Sequence, residues 1–113
     1  MNYLNIVLAI NRALSDSTRI RIWMLVWEKE VCVCHLVTVL KLANSTVSEH
    51  LTVLKKAGLI TSRKEGKWIY YRSLPLEKGV EKLALLLHDF LSQDQDIQKD
   101  QETLRTIQGD QPC

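Results

Sequence analysis

Apolar positions recur at helical spacing through the first half of the chain and then change period. Leu4, Val7, Leu8 and Leu14 share a face of a helix over residues 3–14, which Ile6 and Ile10 widen. Asp16 or Ser17 is placed to cap a second helix running to about Glu28 and carrying Ile20, Trp23, Met24 and Trp27. A third, shorter helix covers about Val31 to Leu42. Asn44 or Ser45 then caps a fourth, in which Val47, Leu51 and Leu54 form the core stripe and Gly58 is the left-handed stop. Beyond Gly58, Leu59 to Arg63 and Lys67 to Ser73 are rich in β-branched and aromatic residues, with Glu65-Gly66 as the turn between two strands. Pro75 opens a final helix in which Leu76, Val80, Leu83, Leu87 and Phe90 repeat on one side, while Leu85, Leu86 and Leu91 make other sides apolar. Such a helix has one face for its own domain and another for a second subunit. From Ser92 the chain turns polar and glutamine-rich, which predicts a mobile tail over 93–113 behind a single domain over 1–92.

Helix, helix, short helix, helix, hairpin, helix describes a winged helix-turn-helix. The expected fold is mainly α with a two-stranded β-hairpin wing, dimerising through its first and last helices. A lone hairpin is marginal in water, so this one must lean on the helices or on a ligand.

Composition narrows the function. The chain has 113 residues, 46% of them hydrophobic and 25% charged, so one compact soluble domain is expected. A net charge of +2 signals nothing by itself, but its distribution does. Arg63, Lys64, Lys67 and Arg72 crowd the hairpin against Glu65 alone, whereas acids dominate from Asp89 to Asp110. No secretory signal pattern is evident and no apolar run reaches the roughly 18 residues needed to span a bilayer. A cytoplasmic protein without membrane partners, its three cysteines held as thiols, is the expectation.

With positions 47, 51 and 54 facing the core, the fourth helix presents Ser45, Glu49, Thr52 and Lys56 on its opposite face. Ser48 and Lys55 lie on one flank, Thr46 and His50 on the other. An isolated helix with this face is ordinarily just solvated. A short helix before it and a basic hairpin after it turn the face into a candidate major-groove reader. Arg63, Lys64 and Lys67 suit phosphate or minor-groove contact, while Trp68, Tyr70 and Tyr71 suit hairpin packing. A two-fold dimer would set two reading helices about 34 Å apart, so the operator in double-stranded DNA is expected to be an imperfect inverted repeat.

Cys32 and Cys34 stand where the third helix begins. A Cys-x-Cys pair is a weak signal alone, since buried cysteine is a common small core residue. Its place at the start of the first helix of the helix-turn-helix gives it meaning. Side chains at i and i+2 of a regular helix point apart, so one small ion held by both sulfurs requires that turn to bend or unwind. Ion and DNA then oppose each other by linkage. Thiolates select soft acceptors. Cys113, the last residue, is the candidate third ligand; His35 would suit zinc better than arsenic(III). His88 and Asp89 lack a further histidine to complete a second site.

These segments resemble a known family. Glu30-Val-Cys32-Val-Cys34-His-Leu36 is similar to the metal box of the ArsR/SmtB family of bacterial metalloregulators. Ser45 to Leu59 resembles its recognition helix, Arg63 to Arg72 its wing, and Leu14-Ser-Asp16-Ser-Thr18-Arg19 the start of its second helix. The resemblance covers about residues 4–91. It implies a homodimeric repressor of a detoxification operon, with Cys32 and Cys34 binding arsenite or antimonite as inducer. The chain departs from the pattern at His35, where the box has aspartate, and at Val37, where arsenic-sensing members often carry a third cysteine. No cysteine precedes Cys32, unlike the cadmium- and lead-sensing branch.

Other readings use the same residues differently. The same cysteines could sense cadmium, lead or zinc. A winged-helix repressor could instead sense thiol oxidation, Cys34 pairing with a distant partner such as Cys113 because an i, i+2 disulfide is strained. A thiol enzyme such as an arsenate reductase needs an activated thiolate in an anion-binding loop, and no glycine cradle surrounds these cysteines, so the chain is not expected to be an enzyme.

Overall fold

A computed structural model describes residues 2–110. Helix α1 spans Tyr3–Ala13, α2 Ser17–Leu25, strand β1 Val31–Cys32, α3 Val33–Leu40, α4 Asn44–Lys56, β2 Ile60–Glu65, β3 Trp68–Ser73, α5 Lys78–Leu91 and α6 Gln95–Asp110. The strands form one antiparallel sheet in the order β1-β3-β2.

Local chemistry explains most boundaries. Asn2 caps α1 by accepting from the Asn5 amide, and Asp16 caps α2 by accepting from the Arg19 amide. α3 stops at Lys41, which takes a left-handed conformation (φ 56°) in the tight turn to α4. α4 closes in the Schellman pattern: the amides of Gly58 and Leu59 return to the carbonyls of Lys55 and Leu54. Gly58 has φ +80° there, a conformation that costs a residue with a Cβ about 1–2 kcal/mol. In the hairpin, Glu65 faces Trp68 across Gly66 and Lys67, and Gly66 (φ +60°) occupies the first turn position.

A single core joins these elements. Ile22, Trp23, Leu36, Val47, Leu51, Leu54, Leu59 and Ile60 are almost wholly removed from water, so the stripe of α4 packs inward as its spacing predicts. The winged helix-turn-helix expected from the sequence is the observed fold.

Several details differ. α2 ends at Leu25 rather than near Glu28, and α5 starts at Lys78, leaving Pro75 in the connector. Neither Asn44 nor Ser45 caps α4; Ala43 occupies that position and offers no side-chain acceptor. The third helix begins two residues later than expected, because Val31 and Cys32 form a strand paired with Tyr71 and Tyr70 of the wing. A strand of two residues is too short to show any period. The largest difference is at the carboxyl end. Residues expected as a mobile polar tail form α6, packed on α2 and α3, with Ile97, Leu104 and Ile107 in the core. Asp100 lies between them, buried, with its carboxylate accepting from Nε and one terminal nitrogen of the Arg21 guanidinium at 2.7 and 2.9 Å.

Candidate DNA interface and cysteine site

The exposed side of α4 carries most of the residues expected there. Ser45, Ser48, Glu49, Thr52, Lys55 and Lys56 are exposed and Thr46 is half-buried. Two of them already have protein partners: the Thr52 hydroxyl donates to the Ser48 carbonyl (2.9 Å), and Lys55 Nζ donates to Ser62 Oγ at the wing base (2.7 Å). His50 belongs elsewhere. It is half-buried, with Nδ1 3.3 Å from the Arg19 guanidinium and 4.0 Å from the Asp16 carboxylate, so it joins α4 to α2.

The wing divides in a way the charge count does not reveal. Lys64 and Lys67 are exposed, and the Lys67 ammonium lies 5.1 Å from the Trp68 ring centre. Arg63 has its charge already matched. Its guanidinium makes a two-pronged pair with Glu30, a third bond to Glu65 (2.9 Å), and sits 4.7 Å above the Tyr70 ring. These carboxylates hold Arg63 protonated even more firmly than usual, and Arg63 holds the Glu30 carboxyl below its ordinary range. The residue expected to contact phosphate thus ties the wing to the segment leading into the cysteines. Only Glu65 was visible as a neighbour in sequence; Glu30 lies 33 residues away.

Cys32 is a buried thiol, 3% exposed, in β1 opposite Tyr70, and it is also the residue immediately before α3. Cys34 follows in the first turn of α3, half-buried, and is disulfide-bonded. Cys113, the expected third ligand, lies outside the described residues. The box therefore straddles a strand–helix boundary instead of occupying one helical turn. With Cys34 reduced, the two sulfurs form a soft pair that fits a thiophilic ion in kind. Among the described residues no group of three or more His, Cys, Asp or Glu side chains gathers for a metal.

Two apolar surfaces remain uncovered: Tyr3, Leu4, Val7 and Leu8 on α1, and Leu83, Leu85, Leu86, Leu87 and Phe90 on α5. Phe90 is 79% exposed. No helix among the described residues is long and apolar enough to cross a membrane.

A half-exposed polar helix behind a tight turn, flanked by a basic hairpin, defines a winged helix-turn-helix of the DNA-binding kind. The match to known proteins narrows the class: residues 16–62 fit the family described as bacterial regulatory protein, arsR family. The chain belongs to that family, one of transcriptional regulators rather than enzymes. It is 42% identical over 65 residues to the arsenic resistance transcriptional regulator ArsR1 of Pseudomonas putida, covering 57% of this chain and 51% of that one. It is 44% identical over 63 residues to the uncharacterized HTH-type transcriptional regulator MJ1325 of Methanocaldococcus jannaschii, covering 55% of this chain and 71% of that one. A cadmium resistance regulatory protein CadC homolog of Staphylococcus aureus is 42% identical over 66 residues, covering 58% of this chain and 54% of that one. The chain thus spans about half the length of the arsenic and cadmium regulators it matches. Among solved structures, HlyU of Vibrio cholerae superposes with TM-score 0.70 at 26% identity, covering 82% of this chain and 100% of that one. The homodimeric winged helix-turn-helix DNA-binding domain of Mb0332 from Mycobacterium bovis gives 0.66 at 29% identity, covering 79% and 81%.

Proposed function

We propose that this protein is a cytoplasmic, homodimeric repressor that binds an inverted-repeat operator and releases it when arsenite or antimonite binds the thiolates of Cys32 and Cys34. The observation that carries the reading is the position of the cysteine box. Cys32 is hydrogen-bonded into the sheet of the wing, and Cys34 lies in the first turn of the helix that the turn at Lys41 connects to α4. A thiophilic ion supplies short bonds to both sulfurs when bound. Drawing the sulfurs together bends the strand–helix boundary, and both elements that face DNA hang from that boundary. A coupling of about 1–3 kcal/mol weakens the operator complex about 5–150-fold, enough to switch a promoter. Ligation also releases protons, because thiolates rather than thiols bind.

The uncovered faces of α1 and α5 support the dimer, and the names of the Pseudomonas and Staphylococcus relatives support a resistance operon as the target. One observation favours a second reading. Cys34 is disulfide-bonded, and a repressor that responds to thiol oxidation would use that bond as its signal.

Fluorescence anisotropy on operator DNA separates these readings. The reduced protein is titrated with arsenite, antimonite, cadmium, lead and zinc, alongside Cys32→Ser, Cys34→Ser and Cys113→Ser. The first two variants are expected to keep operator affinity and lose release by arsenite. Release by a mild oxidant without metalloid, reversed by a thiol reductant, would assign the cysteines to redox sensing instead.

A further inference from the structure

Arg19 occupies a corner where three helices meet. Its backbone amide donates to the Asp16 cap (3.1 Å). Its guanidinium reaches in two directions. Nε donates to the Ala13 carbonyl (2.7 Å) and one terminal nitrogen to the Arg12 carbonyl (3.1 Å), both at the carboxyl end of α1. The other terminal nitrogen lies 3.3 Å from Nδ1 of His50 on α4. A cation at that end of α1 meets the negative end of the helix dipole, at an Arg12 carbonyl that also accepts from the Ser15 amide and hydroxyl. α1 makes little direct contact with α4, so this planar fork is a principal tie between them.

The two helices it ties have different duties under the proposed function, on which this inference rests. α1 contributes Tyr3, Leu4, Val7 and Leu8 to the uncovered surface at the expected dimer seam, and α4 is the reading helix. The angle between them sets how far each reading helix stands from the two-fold axis. A swing of about 10° at this joint, acting over half of the roughly 34 Å between reading helices, moves each by about 3 Å, close to one base-pair step.

We infer that Arg19, with His50 as its seat on α4, is a positioning residue that fixes the half-site spacing the dimer accepts. It touches no base. Its effect is on specificity for the distance between half-sites, not on recognition of either half-site alone. The guanidinium is needed for its fixed fork geometry, so a lysine that keeps the charge does not replace it.

The test begins with a duplex selected from random sequence by the wild-type protein, then rebuilt with the half-sites moved one and two base pairs closer or further apart. Wild type is expected to lose at least tenfold in affinity on the respaced duplexes. Arg19→Gln and Arg19→Lys are expected to bind a single half-site within twofold of wild type while losing less than threefold on respacing. His50→Ala should relax spacing in the same way, and His50→Gln, whose amide oxygen can accept from Arg19, should restore it. Circular dichroism melts of each variant establish that it is folded at the assay temperature; the His50 pair of variants keeps the test open if an Arg19 variant unfolds. A wild-type spacing penalty retained by both Arg19→Gln and His50→Ala overturns the inference while leaving DNA binding intact. Failure of the wild type to select any repeated site overturns the dimeric reading and this inference with it.

Discussion

α5 and α6 invert what their compositions promise. α5 is leucine-rich on nearly every side, yet Ala84 is its sole buried residue among those described. α6 reads as a polar stretch of glutamine and acid, yet Ile97, Asp100, Leu104 and Ile107 are all buried. Spacing accounts for α6: steps of three, four and three place those residues on one face, against α2 and α3. A few apolar side chains at the right period dock a helix on its own chain. Surplus apolar side chains, spread round the circumference, have no such seat on this chain. Abundance and burial are separate properties, and only the period reports the second.

The sharpest way to break this contrast is to make α5 polar. Leu86→Asp with Phe90→Asp removes two highly exposed apolar groups and should weaken dimerisation by about 3–6 kcal/mol, from about 1.5–3 kcal/mol for each buried side chain. Sedimentation equilibrium would report monomers, and circular dichroism an unchanged helical content. An undiminished dimer would mean that α5 faces water after all.

On the α6 side, Leu104→Ala should cost about 2–5 kcal/mol in urea denaturation, as for any buried leucine. A loss under about 0.5 kcal/mol, typical of surface changes, would show α6 to be a loose appendage. Asp100→Ala comes next, at about 2 kcal/mol. A fully buried pair would cost more, but about a third of the Arg21 side chain remains exposed. Combining Asp100→Leu with Arg21→Met should recover much of that loss, since neither then strands a charge.

The smallest effect tests a purely local device, the cap at the other end of α2. Asp16→Ala should cost about 1 kcal/mol at neutral pH. The bond from the Arg19 amide, aided by the charges of His50 and Arg19, holds the Asp16 carboxyl below its ordinary 3.8. The folded state therefore prefers the ionised form. This stability is fully present above the unfolded value and disappears as pH falls through the lower folded one. Wild type and variant should converge in strongly acidic urea melts. A gap that persists there would mean Asp16 acts by some other route.

The elements legible in the sequence were those whose signals are local. The Asp16 cap, the Val47, Leu51 and Leu54 stripe, the Gly58 stop and the hairpin each follow from a few neighbouring residues, and each stands where its pattern places it. What escaped depends on partners far along the chain. Asp100 breaks the apolar stripe of α6 and looks like evidence against a packed helix until Arg21, 79 residues earlier, supplies its counter-charge. β1 exists because β3 comes to pair with it. Arg63 looked like a free cation until Glu30 met it, and His50 looked like a base reader until Arg19 did. Charge and exposure read from sequence thus miss the partners that a group meets in the fold.

The burial of Cys32 has a consequence for timing. At 3% exposure, beneath strand pairing to Tyr70, its sulfur is out of reach of any dissolved reagent until the edge strand lifts. Any reaction at this sulfur would therefore be gated by local opening rather than by diffusion. As reagent concentration rises, the observed rate should level off at a plateau equal to the frequency of that breathing. Under the proposed function, the shortest delay before release would be written into a two-residue strand.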